Sequence, residues 1–191
     1  MSKEQDAYEL VKKAEEKQNP GFFSKLFSSK NSRLEESLDC LEKAANIFKL
    51  LKKWEEAGNT YEKCGVIQIQ LQNDPTNFLI ESAHCFSFVD NKKSLTIKKK
   101  IVENYSQNGR FMNAGKYQQQ IAEKYEEMFD YPNSIKEYKL AADYFSMETM
   151  NAKSYEQNCL LKYCDLMCSL ENNKSCYPEA SEVILYFNLD L

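Results

Sequence analysis

The sequence predicts an all-α protein in which helical hairpins follow one another along the chain. Apolar residues recur at spacings of three and four in almost every segment, which is the period of a helix with one buried face, and the sustained alternation typical of strands is missing. Five glycines and four prolines in 191 residues are few, and this favours long regular elements joined by short loops. The length, with 42% hydrophobic and 28% charged residues, suits one globular domain that spans residues 1–191.

Nine helices are predicted, each from an apolar stripe or from a break beside it. Stripes of this kind run from Leu34 to Phe48, from Ile135 to Phe145 and from Ala152 to Leu166. The breaks contain Asn, Asp, Gly or Pro and lie at Asn19-Pro20-Gly21, Asn73-Asp74-Pro75, Asn108-Gly109, Tyr131-Pro132 and Asn172-Asn173. The predicted helix starts lie near residues 4, 34, 54, 76, 94, 111, 133, 151 and 175.

The helix starts also predict an internal repeat. After the first helix, each start recurs two helices later at intervals of about 35 to 42 residues, which is the register of helical-hairpin arrays. "WEEAGNTY", from Trp54 to Tyr61, fits much of the tetratricopeptide pattern W-x-x-L-G-x-x-Y with Ala57 in place of the leucine, and "FMNAGKY" from Phe111 is a partial echo. Small Ala and Gly residues let helix backbones approach, and the aromatic residue fills the gap between hairpins. The repeat predicts a right-handed twisted solenoid of tetratricopeptide-like hairpins with one concave face, and a plain helical bundle is the alternative.

The segment "GFFSKLF", within a predicted loop at residues 20–31, is the most hydrophobic short stretch of the chain. Burying one large apolar side chain contributes about 1.5 to 3 kcal/mol at most, and each nearby base adds about 1 kcal/mol at an anionic membrane surface. These values predict reversible attachment to an anionic membrane. A hydrophobic plug that folds onto the first hairpin is the alternative. The predicted membrane-binding residues are Phe22, Phe23, Lys25, Leu26 and Phe27.

Composition limits the possible partners and location. The net charge of −4 gives no general attraction to nucleic acid, so we predict no nucleic-acid partner. The chain has no run of roughly 20 apolar residues that could span a bilayer, and its start, "MSKEQDAYEL", lacks the apolar core of a signal peptide. Seven cysteines are an odd number and form no C-x-x-C pair, which indicates a reduced, cytosolic location.

Catalytic and metal-binding chemistry is not predicted. Cys159, Cys164 and Cys168 have the spacing of a buried helical stripe, whereas zinc sites use closely spaced ligand pairs. The one histidine, His84, has no nucleophile with a carboxylate partner beside it. A glycine-rich phosphate loop is missing, and the lysine run 98–100 is typical of a solvated helix face. The sequence therefore predicts a protein that is not an enzyme and needs no cofactor or metal.

Several motifs in order along the chain resemble those of the soluble NSF attachment proteins, the SNAP family. "FFSKLF" matches the F-F-S-x-L-F loop of that family at every fixed position, and "NGRFMNAGKYQQQIAEKYE" is similar to its G-R-F-x-x-A-x-K-x-x-x-x-I-A-E-x-Y-E motif. The resemblance covers about residues 5–170. Further matches are "KAANIFKLLKKW" at 43–54, "AGN" at 57–59, "QLQ" at 70–72, "ADYF" at 142–145 and "NCLLK" at 158–162.

The resemblance implies an adaptor in the recycling of membrane-fusion machinery. In that family, several copies wrap an acidic SNARE four-helix bundle of the syntaxin type through a concave, partly basic face, and they recruit the hexameric AAA ATPase NSF, which pulls the bundle apart. The implied location is cytoplasmic and peripheral on membranes of the secretory and endosomal pathway. The positions that match bundle-facing bases of the family are Lys52, Arg110, Lys116 and Lys162.

Two departures from the family pattern modify this expectation. Asn158 stands where the family usually has a lysine. Family members also continue for roughly a hundred further residues that meet and stimulate NSF, whereas this sequence stops at Leu191, so we expect weak activation of NSF. Two alternatives stay open: a generic tetratricopeptide-like scaffold that binds a peptide without a SNARE role, and a lipid-binding module that uses the loop alone.

Overall fold

The computed structural model describes residues 2–19, 29–148 and 152–170. These residues form eight helices and no strand: α1 (Lys3–Gln18), α2 (Lys30–Leu50), α3 (Trp54–Gln70), α4 (Thr76–Phe86), α5 (Asn91–Gln107), α6 (Phe111–Glu127), α7 (Tyr131–Ser146) and α8 (Lys153–Leu170). The predicted starts agree with this order, and the largest difference is that between residue 34 and the observed start at Lys30. The start predicted near residue 175 lies outside the described residues. The all-α class and the organisation into helical hairpins are confirmed.

The contacts divide the chain into two compact units, Met1–Lys100 and Ile101–Leu191, and the boundary falls within α5. Each unit is described by itself below. The expected single domain over residues 1–191 stays a prediction. Within each unit, the extensive packing joins helices that follow one another in sequence, α1 to α4 in unit 1 and α6 to α8 in unit 2, as in successive hairpins.

Unit 1 is built on small residues at the helix contacts. Serine hydroxyls fasten one helix to the backbone of another: Ser37 Oγ donates to the Ala14 carbonyl at 3.0 Å, and Ser82 Oγ donates to the Gly58 carbonyl at 2.8 Å. Because each of these buried hydroxyls is hydrogen-bonded to a carbonyl of a neighbouring helix, the contact positions the helix and leaves the hydroxyl satisfied. The buried apolar residues form two clusters, one of Ala7, Ala44, Ala45, Phe48, Ala57, Tyr61 and Cys85, the other of Ala14, Leu34, Leu41, Cys64 and Ile67.

Unit 2 repeats this construction around α7. Ser134 Oγ donates to the Ala122 carbonyl at 2.9 Å and ties the start of α7 to α6. Asp130 caps α7 by accepting the backbone N–H of Asn133, and Pro132 lies in the first turn, where its missing N–H costs nothing. The buried cluster consists of Ala122, Ile135, Tyr138, Ala141, Ala142, Phe145, Ala152, Cys159 and Leu166.

A phenylalanine ring packs tightly against each of the two glycines of the repeated Ala-Gly motif. A Cβ atom at Gly58 would lie 2.7 Å from Phe86 Cε2, and a Cβ atom at Gly115 would lie 2.7 Å from Phe145 Cε1. A glycine is therefore needed for this packing, and the expected approach of the helix backbones stays a prediction. The ring that fills each gap is the phenylalanine at the end of the next helix in the hairpin pair, whereas Trp54 of the motif stacks on Phe88 with ring centroids 4.4 Å apart.

Four turns between helices share one backbone conformation. The residues after α2, α3, α5 and α6 adopt positive φ angles, at Lys52 (57°), Gln72 (61°), Gly109 (68°) and Phe129 (58°). In each turn, the residue after the positive φ donates its N–H to a carbonyl five residues back, as Lys53 does to Phe48 at 2.9 Å and Asp130 does to Tyr125 at 2.9 Å. This is the Schellman arrangement, in which a left-handed residue lets the chain satisfy the last carbonyls of a helix. Main-chain hydrogen bonds therefore fix the conformation of these turns, and the side chain of the left-handed residue points outward.

We predict that Gly115→Ala destabilises the protein although alanine is the better helix former. Alanine gains about 1 kcal/mol of helix propensity over glycine, but overpacking against a buried ring costs about 1 to 3 kcal/mol. The expected net result is a lower midpoint of urea denaturation. The double variant Gly115→Ala, Phe145→Leu is the control, because a smaller side chain leaves room for the methyl group. A double variant that loses the full sum of the two single effects would show that the ring contact is not responsible.

Candidate binding surfaces

The predicted membrane-binding residues, Phe22, Phe23, Lys25, Leu26 and Phe27, lie outside the described residues. The described chain ends at Asn19 and resumes at Ser29, whose hydroxyl accepts the N–H of Ser32 at the start of α2. Their membrane role stays a prediction. No helix in the described part of the chain has the length and apolar character that crossing a membrane requires.

Lys52 is an exposed base at the end of α2 in unit 1. It occupies the left-handed position of the Schellman turn, so its side chain projects outward from a backbone that is fixed by two hydrogen bonds. Its neighbours Lys49 and Lys53 form ion pairs with Glu81 and Glu4. Lys52 itself makes no ion pair within the described residues. Its charge is available to an external anion.

Lys116 is an exposed base on α6 in unit 2, next to the tightly packed Gly115. Its Nζ lies 5.2 Å from the ring centroid of Tyr155 on α8, a cation–π contact. Tyr155 in turn stacks on Phe145, with centroids 5.3 Å apart. Among the described residues Lys116 has no acidic partner. The ring therefore positions the ammonium group without neutralising it.

Arg110 and Lys116 contact different neighbours. The guanidinium carbon of Arg110 lies 5.5 Å from the ring centroid of Tyr105 on α5, whereas Lys116 lies against α8. Arg110 directly precedes α6 and, like Lys53 before α3, makes no side-chain cap there. The structure thus brings Lys116 to the α6–α8 side of unit 2, and it holds Arg110 at the α5–α6 turn.

Lys162 lies on the α6–α8 side of unit 2 with Lys116 but is paired with an acidic residue. Its Nζ lies 3.0 Å from Glu126 Oε1, and the other oxygen of Glu126 accepts the hydroxyl of Tyr138 at 2.7 Å. Tyr155 and Lys162 are seven residues apart, so they share one side of α8 at a separation of about 10 Å. Asn158, which replaces the usual lysine of the family, is exposed between them.

The Tyr138–Glu126–Lys162 network controls the charge state of its carboxylate. Burial raises the pKa of Glu126, but the hydrogen bonds from Tyr138 and Lys162 outweigh burial, so the pKa is lowered from its usual value. Burial, and then the bond to Glu126, raise the pKa of Tyr138. Glu126 is therefore ionised at neutral pH and offsets part of the charge of Lys162. Sequence reasoning predicted a binding role for Lys162 but missed Glu126 and Tyr155, since only side-chain contacts between α6 and α8 reveal these partners.

Three of the cysteines in the described part of the chain, Cys64, Cys85 and Cys159, are buried. Burial raises the pKa of the Cys64 and Cys159 thiols to about 12 and that of Cys85 to about 11, so these thiols stay protonated and unreactive. The predicted buried stripe on α8 is correct for Cys159 and wrong for Cys168, which is exposed. Among the described residues, no three His, Cys, Asp or Glu side chains converge as metal ligands.

The fold defines a class of protein, that of all-α proteins built from successive helical hairpins. The family described as "Soluble NSF attachment protein, SNAP" matches residues 5–185, and this chain belongs to that family. The resemblance that the sequence motifs indicated is therefore confirmed.

Named relatives agree with this assignment. The alpha-soluble NSF attachment protein of Homo sapiens is 33% identical over 174 residues, which cover 88% of this chain and 58% of the human protein. The beta-soluble NSF attachment protein of Bos taurus is 31% identical and is matched over 95% of this chain and 60% of its own length. The vesicular-fusion protein SEC17 of Komagataella phaffii is 30% identical, with 87% and 57% covered. The chain thus spans less than two thirds of the length of these relatives.

We predict that Tyr138→Phe lowers the free energy of unfolding at neutral pH and lowers it less in acid. A hydrogen bond to a charged group contributes about 1.5 kcal/mol or more. Because the folded pKa of Glu126 is below the unfolded value of about 4.3, the stability from its ionised form is present above that pH and is lost as the pH falls through the folded pKa. Urea denaturation at pH 7 and at about pH 3 measures the difference.

Tyr155→Phe is the matched control for this prediction, because it removes a hydroxyl from a ring whose contacts are aromatic and cation–π. We expect Tyr155→Phe to behave like the parent at both pH values. A loss for Tyr138→Phe that is equal at both pH values would contradict the role of the ionised Glu126.

Proposed function

We propose that this chain is an adaptor of vesicle-mediated transport that binds SNARE complexes at membranes and brings an NSF-type ATPase to them for disassembly. The observation that carries the proposal is membership of the soluble NSF attachment protein family over residues 5–185. The relatives named above, including one called a vesicular-fusion protein, support the same pathway. The protein acts at the cytoplasmic side of secretory and endosomal membranes as a peripheral component, and it acts by binding and not by catalysis.

The basic side chains supply the attraction to the acidic SNARE bundle. Lys52 and Lys116 are exposed and have no acidic partner among the described residues, so their charges act at full strength on an incoming anionic surface. Arg110 contributes at the α5–α6 turn. Lys162 contributes less, because Glu126 neutralises part of its charge. Rigid helices keep these charges in place, and attraction between exposed charges is screened by salt.

The segment that contains Phe22, Phe23 and Phe27 adds a weak membrane contact. Such a contact is useful to a protein whose partner is already anchored in the membrane, because two weak attachments to neighbouring sites reinforce each other. Lys25 adds attraction to anionic lipids.

Charge reversal at Arg110 and Lys116 tests the SNARE contact. We predict that Arg110→Glu with Lys116→Glu weakens binding to a soluble SNARE four-helix bundle about tenfold or more, since two attractions become repulsions and each factor of ten corresponds to about 1.4 kcal/mol. Binding is measured by pull-down and by calorimetry at two salt concentrations. The matched control is Lys12→Glu with Lys136→Glu, which changes the net charge equally at exposed positions on α1 and α7. Equal binding by both double variants would count against the basic surface.

Removal of two aromatic side chains tests the membrane contact. We predict that Phe22→Ser with Phe23→Ser abolishes flotation with vesicles of phosphatidylcholine and phosphatidylserine, because the lost burial amounts to about 3 kcal/mol or more. Binding to the soluble SNARE bundle should be unchanged. Val66→Ser with Ile69→Ser is the matched control, because it removes two exposed apolar side chains of α3 outside the segment.

The two experiments together separate the competing functions. If the Phe22→Ser, Phe23→Ser variant loses flotation but the parent protein binds no SNARE bundle, the protein is a lipid-binding module. If both double variants behave like the parent protein in both assays, the protein is a generic peptide-binding scaffold and the proposed adaptor function is wrong.

A further inference from the structure

An open groove of about 520 Å³ lies in unit 2, and its lining combines aromatic and acidic side chains. The acidic residues on the groove are Glu123, Glu126 and Glu127 of α6, and Phe129 and Tyr131 lie at the turn that follows. The rings of Phe129 and Tyr131 meet edge to face with centroids 6.3 Å apart. Tyr138 and Lys162 complete the lining, so the groove carries three aromatic rings, three carboxylates and one ammonium group.

Phe129 is an unusual residue for its position. It has a φ angle of 58° and is 77% exposed, so burial does not compensate for the strain of a bulky residue in the left-handed region. The same turn position after α5 is occupied by Gly109, and those after α2 and α3 are occupied by the polar Lys52 and Gln72. Folding alone would favour glycine at Phe129, so a large exposed ring at this point is of use to a partner rather than to the fold.

The charges on the groove favour a cationic partner. Glu123 accepts a hydrogen bond from the neutral amide of Gln119 at 2.8 Å and has no cationic partner among the described residues. Glu127 pairs with Lys124 at 2.8 Å, but this pair is between neighbours on one helix and Glu127 is 66% exposed, so the pair is weak. Lys162 also lines the groove and pairs with Glu126, so the three carboxylates outnumber the one ammonium group. Negative charge therefore remains beside the two aromatic rings.

We propose that this groove binds an arginine-bearing segment of a partner protein. A guanidinium group is planar, stacks on aromatic faces and donates paired hydrogen bonds to carboxylates, so one arginine can lie on Phe129 while it bonds to Glu123. An acidic segment would be repelled. A purely apolar segment would bury Glu123 without a partner, which is unfavourable. The inference goes beyond the proposed adaptor function and does not depend on the contacts of Lys52, Arg110 and Lys116 with a SNARE bundle.

A peptide titration of the whole chain tests this site. The probe is an acetylated, amidated tetra-arginine peptide, and binding is followed by ¹H–¹⁵N NMR. We expect saturable shifts of the backbone amides in the range 123–131. Phe129→Gly should keep or raise the unfolding temperature, because it relieves the backbone, while it weakens peptide binding about tenfold.

A charge-matched pair of variants controls for general attraction to a polycation. Glu123→Lys removes a groove carboxylate, and Glu55→Lys makes the same charge change at an exposed position of α3 in unit 1. We expect loss of binding only for Glu123→Lys. Equal losses for the two variants, shifts spread over the acidic residues of unit 1, or parent-like binding by Phe129→Gly would each overturn the proposal.

A soluble SNARE bundle serves as the second probe and separates this inference from the adaptor proposal. Phe129→Gly should bind the bundle like the parent, since it leaves Arg110 and Lys116 intact. If Phe129→Gly lost binding to the SNARE bundle but kept binding to the peptide, the groove proposal would be wrong and the adaptor proposal would be unaffected. Conversely, loss of bundle binding by charge reversal at Arg110 and Lys116 has no bearing on the groove.

Discussion

The packing of a phenylalanine ring against a glycine, at Gly58 and at Gly115, is the constraint on which the rest of the structure depends. At both positions the missing side chain makes room for a phenylalanine ring, Phe86 in unit 1 and Phe145 in unit 2. The ring of Phe145 also stacks on Tyr155, which holds Lys116. A packing requirement in the core is thus connected, through one aromatic stack, to an exposed positive charge. The position of that charge depends on helix spacing and not on the lysine side chain alone.

Ion pairs between helices that are not neighbours in sequence accompany this packing. In unit 1, Lys63 reaches Glu15 at 3.0 Å and Lys100 reaches Glu62 at 2.7 Å, and in unit 2 Lys162 reaches Glu126 at 3.0 Å. Each pair is exposed and weak alone. Their common geometry shows that Lys162, which the sequence indicates as a contact for a partner, has the same structural role as Lys100. One residue can serve both purposes if the partner competes with Glu126 for its ammonium group.

The spacing of apolar residues and the positions of breaks were sufficient to predict the helices, because both depend on local chain geometry. The Ala-Gly motif also indicated positions of tight packing, but it did not reveal that the rings of Phe86 and Phe145 pack there, since those residues lie about 30 positions further along the chain. The same limit applied to the binding surface. Lysines could be selected by motif, whereas Glu126, Tyr155 and the strained Phe129 depend on tertiary packing or on a backbone angle that no pattern of apolar residues encodes.

The four Schellman turns have a consequence for how such a protein can diverge. One backbone conformation carries a lysine, a glutamine, a glycine and a phenylalanine at its left-handed residue, and the two hydrogen bonds that define it come from the main chain alone. Helix spacing is therefore insulated from the identity of the side chain at these points. Mutations there can change the chemistry that the protein presents to other molecules while the hairpins themselves stay in register, so new partners can arise at the turns without redesign of the core.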